Sequence, residues 1–372
     1  PYTYDGLWIP EGTYDIINYV GDRNCHAASF NGIRVLGSGI WTSRLVNHRH
    51  TGTAWAANYT IGEGTVIRDL AFHGQTIARG WNSYGAICLN GKGMNHLENV
   101  WIEHYNCGVW VANGSGVYRK VRIKNTWADG INNHNTSDGL VYEKSFGRAN
   151  GDDPFVIYSA SSVKPGESSE TPDLVKDVKI KNNTIYSTWH ASGITIWGGE
   201  NIDIMNNLVC DVSGGGGISL NAWGWNTCAT NNVWITHNRI ERCGNQATDG
   251  QQTGAISIVP GKAVEGCNNK YMNTYFDSNE FIDNPYLLMR ISSQNGADEV
   301  LFDMNYNYAR NSCLALPDVS KKRLVEYRNA ATNGALNYFY NVYEGDYYKF
   351  KTSHTEDVEE AFVGNLPEEW GN

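Results

Sequence analysis

The residues best placed to do chemistry lie in one stretch, TWADGINNHNTSDGLVYEKSFGRANGDDPFVIY. Asp129 stands in Ala-Asp-Gly-Ile-Asn, and Asp152 and Asp153 stand in Gly-Asp-Asp-Pro-Phe. Asp152 follows Asp129 by 23 residues. Carboxylates that converge repel one another, so one of them keeps its proton to a higher pH than a free Asp would. A proton donor beside ionised neighbours is what acid–base hydrolysis of a glycosidic bond needs. On a regular strand two adjacent Asp would point to opposite faces, and one would enter the core unpaired. Gly151 and Pro154 argue instead for a bent segment that shows both carboxylates to solvent. The same composition also suits an ordinary surface turn.

The elements that would bring these acids together are short repeated strands. A phrase of β-branched or aromatic alternation, then Asn, then a second apolar pair recurs as ENVWIEHYNCGVWV, RKVRIKNTWADGIN, KDVKIKNNTIYSTW, ENIDIMNNLVC and NNVWITHNRIERC. Its first apolar residue falls at Val100, Val121, Val178, Ile202, Val233, Val300 and Leu324. Several steps are 21 to 24 residues, and longer gaps need insertions. Alternation with period two means strand rather than helix. Strands this short cannot bury a face alone, but stacking them coil on coil at ~4.8 Å makes a continuous core. Asn at matching positions can form ladders and tolerates the left-handed backbone of tight corners. The expectation is an all-β, right-handed parallel β-helix. A β-sandwich should turn every 8–12 residues or so without this longer period. At one coil's spacing, Asp129 and the Asp152–Asp153 pair become neighbours on one surface patch.

The whole chain, 1–372, reads as a single β-helix, with 1–60 as first coils and N-terminal cap. IPEGTYDI and GIRVLGSGIWTSRL look like opening coils, and 328–372 reads as an irregular, acidic C-terminal cap. Around the acids, His134 could bond a sugar hydroxyl or a carboxylate, and Arg148 could orient one. One coil on come Trp189, His190 and Trp197, and the next brings Gly214–Gly217 and then Trp223 and Trp225. A Gly run followed by Trp could open a trough with stacking platforms for sugar rings. Asp138, before a Gly, reads as a turn, and 161–172 as a polar loop bordering the cleft.

Composition narrows the partner. The formal charge is −10 and no basic stripe is present, which argues against nucleic acid. Thirteen Trp and 22 Tyr with only 18% charged residues suit a neutral polysaccharide. No apolar run approaches a membrane span. The eight Cys include no C-x-x-C pair; an even count fits disulfides or buried thiols, and Cys210 and Cys243, each ending a similar phrase, could sit near each other on stacked coils. Phosphate loop, Gly-x-Ser-x-Gly and His-Glu-x-x-His motifs are missing, so neither a cofactor nor a catalytic metal is required. Exposed Asp and Asn could hold a structural calcium, without an EF-hand loop.

ADGIN followed one coil later by GDDPF resembles the catalytic signature of glycoside hydrolase family eighty-seven, the bacterial α-1,3-glucanases and mycodextranases. The pair is similar, more distantly, to the polygalacturonase pattern. The resemblance implies a secreted, monomeric, inverting hydrolase of α-1,3-glucan or nigeran on a β-helix, here as a catalytic-domain fragment. It also implies Asp152 as general acid, with Asp129 and Asp153 sharing the attacking water, although Asp152 and Asp153 could exchange roles. Acid and base would then lie ~6.5–9.5 Å apart. A uronate lyase, a pectinase or a non-enzymatic carbohydrate-binding β-helix are the competing readings; a lyase would have to bring an anionic sugar to three acids.

Overall fold

The computed structural model describes residues 5–16, 28–47, 57–79, 85–90, 93–112, 114–134, 139–159, 174–222, 228, 230–245, 253–259, 271–292, 300–312, 325–328, 336–339 and 342–344. Within these residues there are only strands, turns and bends: 32 strands form one sheet of 21 and one of 11, paired in parallel. The chain is a right-handed parallel β-helix.

One coil shows the plan. Val141–Glu143 and Phe146–Arg148 lie in the large sheet, a turn spans 149–154, and Phe155–Tyr158 lies in the small sheet. Each strand pairs with its counterpart one coil away, so like side chains stack. Val109, Ile131, Phe155, Ile194, Ile218, Ile256 and Met289 form one such inward column across seven strands. All seven are fully buried. At roughly 1.5–3 kcal/mol for each large aliphatic or aromatic side chain, this column is a principal source of stability.

The Asn expectation holds and has a definite geometry. Asn183, Asn207, Asn238, Asn279 and Asn307 are buried and stacked. Asn207 Nδ2 donates to Ile180 O at 2.8 Å and to Asn238 Oδ1 at 3.0 Å, while its own Oδ1 accepts from the Asn183 backbone N–H at 2.9 Å. Val100 and Val121 stack on each other, but the column continues through Ser145 into this ladder. Val178, Ile202 and Val233 share a different column. The sequence phrase therefore merges two columns that the fold keeps apart.

A second stack fixes the corner that matters for function. His104, Asn125, Ala149, Ser187, Asp211 and Arg242 all have φ between 51° and 59°. Each ends a strand of the large sheet and turns the chain toward the small one. Left-handed backbone is costly for Ala or Arg, so coil stacking, rather than local preference, imposes it there.

The opening segments form strands Gly6–Ile9, Gly12–Ile16, Arg34–Gly37 and Ser43–Asn47, joined in parallel. At the other end Leu336–Phe339 and Val342–Glu344 continue the large sheet, inside the residues expected as an irregular cap. Cys210 and Cys243, the candidate pair, form no disulfide: both are buried free thiols, as is Cys107. Cys243 Sγ is instead satisfied by Val209 O at 3.4 Å. Cys228 is disulfide-bonded. The 161–172 loop and Asp138 lie outside the described residues.

Candidate active site

The turns that follow the left-handed corners at Asn125 and Ala149 carry the three acids. Thr126 pins the first turn by donating to Ala128 O at 2.7 Å, and buried Asn150 ties the second turn to it through Thr126 Oγ1 at 2.6 Å. Backbone bonds lock the two together: Gly130 N–H to Asp153 O at 3.0 Å and Gly151 N–H to Thr126 O at 2.8 Å. A Cβ on Gly151 would sit 2.3 Å from Trp127 O and 2.7 Å from the Trp189 ring, so only glycine permits this approach.

This register refines the one-coil spacing. Extending the pairing of Ile131 with Phe155 back along both chains puts Asp129 on the rung of Asp153, not of Asp152. Cys107 lies one rung below and Ser192 one above. Asp152 stands one residue off the column, its side chain 20% exposed, whereas Asp153 is 7% exposed. One carboxylate oxygen from each of the three acids lies within 4.8 Å of the other two. That is closer than the ~6.5–9.5 Å expected of an inverting acid–base pair.

Each acid has distinct partners. Asp129 accepts from Asn132 Nδ2 at 2.6 Å. Asp153 accepts from the Ser192 backbone N–H at 2.9 Å. Arg79, from the turn after the strand Val66–His73, donates to Asp152 Oδ2 and, at 3.2 Å, to His190 Nδ1. Burial, then the Asp152 charge, pushes Asp129 up to about 7, against the lowering pull of Asn132 and Arg79. Burial, then Asp152 and Asp129, raises Asp153 well above the carboxylate range. The cluster therefore holds a proton near neutral pH. The same three oxygens are close enough to share a metal ion, and Arg79 already supplies a cation to Asp152.

Of the other expected residues, Trp189 and His190 reach the site. Trp189 is 46% exposed and packs edge-on to Trp127 at 6.1 Å. Trp197 lies about 15 Å of extended strand beyond the Ser192 rung, its ring against Tyr158 at 5.9 Å. His134 occupies the same column one rung below Tyr158, and its side chain lies outside the described residues. Arg148 is exposed on its strand and bonds none of the three acids, because strand alternation turns it away from the site turn. Trp223 and Trp225 lie outside the described residues. Gly214 opens no trough: its Cα packs against the backbone of His190, where a Cβ would meet a carbonyl carbon at 2.1 Å.

Arg79, Trp127, Asn132 and Ser192 escaped the sequence reading. Trp127 precedes the ADGIN motif and Asn132 closes it, so both were within reach of it. Arg79 precedes Asp152 by 73 residues in an unremarkable turn, with no local signal.

Residues 2–254 match the family model described as alpha-1,3-glucanase catalytic domain D2. Among solved structures, the fold is similar to the catalytic domain of a glycoside hydrolase family eighty-seven α-1,3-glucanase in complex with tetrasaccharides. The identity is 22%, coverage is 90% of this chain and 64% of that one, and the TM-score is 0.64. It is also similar to the catalytic unit of a thermostable α-1,3-glucanase of the same family from Streptomyces thermodiastaticus. There the identity is 17%, coverage 90% and 63%, and the TM-score 0.63. A mannuronan C-5 epimerase A-module from Azotobacter vinelandii shares the fold at 13% identity and TM-score 0.50, covering 91% of this chain and 90% of that one. This chain thus spans under two thirds of the glucanase structures it resembles. Three of those structures carry alanine for aspartates spaced as Asp129, Asp152 and Asp153 are here. No curated protein matches the chain.

Proposed function

The chain belongs to the family of α-1,3-glucanase catalytic domains, and on that premise we propose that it is an endo-acting, inverting hydrolase of α-1,3-glucosidic bonds. The observation that carries the hydrolase part of the reading is the triad itself: three acids within 4.8 Å, two of them with raised proton affinity, while inversion is the part the anomer test below decides. A neutral glucan is the fitting substrate, because an anionic sugar would meet Asp129, Asp152 and Asp153 together. Similar glucanase domains are complexed with nigerose and with tetrasaccharides, which supports an α-1,3-linked chain here.

The roles follow from position. Asp129 and Asp153 share a rung column, and one water with two ordinary hydrogen bonds of about 2.8 Å spans up to ~5 Å between their oxygens. These two activate the attacking water. Asp152, off the column and the more exposed of the pair, faces the glycosidic oxygen as general acid. In the free protein the cluster's proton resides with Asp129 and Asp153. Turnover needs one carboxyl of the triad protonated and another ionised, which three acids sharing one cluster can supply. Trp189 and Trp127 offer rings beside the triad for the sugar faces. The disulfide at Cys228 supports an exported, oxidising location.

The test is digestion of α-1,3-glucan, nigeran, dextran and polygalacturonate, with products sized at low conversion and their first anomer read by NMR. We expect mid-sized oligosaccharides from α-1,3-glucan, released as the β-anomer, and complete loss of turnover in a folded Asp152→Asn variant. Retained configuration would rule out inversion, unsaturated products would indicate a lyase, and near wild-type turnover in Asp152→Asn would remove Asp152 from the chemistry.

A further inference from the structure

We propose that Arg79 is a positioning residue for this reaction: bridging Asp152 and His190 across the triad, it aims the Asp152 carboxyl and is the cation set beside Asp129. The inference rests on the glycosidase reading above and goes beyond it by adding a cation that no sequence motif marks.

Three observations carry it. First, one guanidinium makes both contacts, to Asp152 Oδ2 through one terminal nitrogen and to His190 Nδ1 through the other. A guanidinium only donates, so Nδ1 accepts and the imidazole proton sits on Nε2. The planar fork thereby sets the orientation of two site side chains from successive coils at once. Second, the Arg79 turn is itself anchored to the site. Trp127 Nε1–H donates to Thr76 O at 2.8 Å, and Thr76 N–H donates to His104 O at 3.0 Å. The cation is therefore held by the wall that carries the stacking ring. Third, three carboxylates meet a single cation. The groups facing Asp129 are Asp152 and Asp153 from the next turn, Arg79 from the turn two coils back, and the Cys107 thiol and Tyr158 hydroxyl from the small sheet. Arg79 is the one positive group among these described neighbours, with the His134 side chain outside the described residues.

If Arg79 is removed, Asp129 loses a lowering influence and its midpoint moves above about 7. The base is then protonated over more of the working range. The acidic limb of kcat/KM shifts to higher pH by about one unit, as for an opposite charge removed from within ~4–6 Å of a carboxylate. At pH 6 the rate falls by about tenfold, and the loss shrinks toward pH 9. A residue that merely props up the turn would lower the rate equally at every pH.

The experiment compares wild type, Arg79→Met and Arg79→Lys. It measures kcat and KM on α-1,3-glucan from pH 4 to 9, and the 13C carboxyl titration of Asp129 in the substrate-free protein. We expect an upward midpoint and an alkaline-shifted limb in Arg79→Met, with both substantially restored in Arg79→Lys. An Asp129 midpoint that is the same in wild type and Arg79→Met, or a pH-independent loss of rate, overturns the proposal. The titration needs no substrate, so it decides on Arg79 even if the wild type leaves α-1,3-glucan intact, an outcome that would defeat the hydrolase reading alone.

Discussion

Replacing Asp129 by Asn removes the carboxyl with raised affinity while keeping an oxygen to accept from Asn132 Nδ2. In the wild type this carboxyl titrates at about 7, against an ordinary value of 3.8, through burial first and the Asp152 charge second. Between those two values the folded protein keeps a proton that the unfolded chain has released. Wild-type stability is therefore full below about pH 4 for this group and falls as pH rises through about 7. A span of about 3 units corresponds to ~4 kcal/mol at ~1.4 kcal/mol per unit. Asp153, also raised, competes with Asp129 for the proton, which spreads that loss over the two and leaves about 2 kcal/mol to Asp129. The assay is urea unfolding at pH 4.5 and pH 8, with the denaturant slope checked for constancy. We expect the wild type to lose about 2 kcal/mol more than Asp129→Asn between the two conditions, and the variant to be the more stable protein at pH 8. Equal losses in the two proteins would refute the claim that Asp129 is held protonated by its surroundings. The variant should also be inactive, so stability and turnover move in opposite directions, as expected where a site stores unfavourable electrostatics for function.

Two further outcomes follow from the packing. Trp189→Ala should raise KM on α-1,3-glucan by about tenfold with kcat little changed, since loss of a half-exposed ring removes stacking without touching the acids; an unchanged KM would take Trp189 out of the binding surface. Asn238→Ala should cost about 2–4 kcal/mol in unfolding free energy, because the Asn207 backbone N–H and Ile204 O both lose their partner inside the core. Asn201→Ala, in the exposed ladder, should cost only about 1 kcal/mol, chiefly the strain of Ala on a left-handed backbone, and equal losses at the two positions would contradict the burial argument.

The coil itself was legible in the sequence. Period-two alternation, a recurrence of 21 to 24 residues and Asn at the corners dictate stacked short strands, because nothing else buries strands of three to five residues. The three acids were legible too, through two short motifs one coil apart. Their roles in space were not. Whether Asp152 or Asp153 shares the rung of Asp129 depends on a one-residue register that only interstrand pairing fixes, and a shift of one reverses which carboxylate faces the cleft. The proton held by Asp129 and Asp153 arises from burial and from charges on neighbouring coils, and neither is a property of the local string. Strand alternation sends Arg148 away despite its closeness in sequence. Coil stacking brings Arg79 in across 73 residues. Cys210 and Cys243, which end similar phrases, remain thiols. The sequence by itself determined a repeating strand, its period and the acids it carries, since those follow from residue type and spacing. The tertiary structure decided which charges meet, since electrostatic partners lie across the stack and chain distance does not record them.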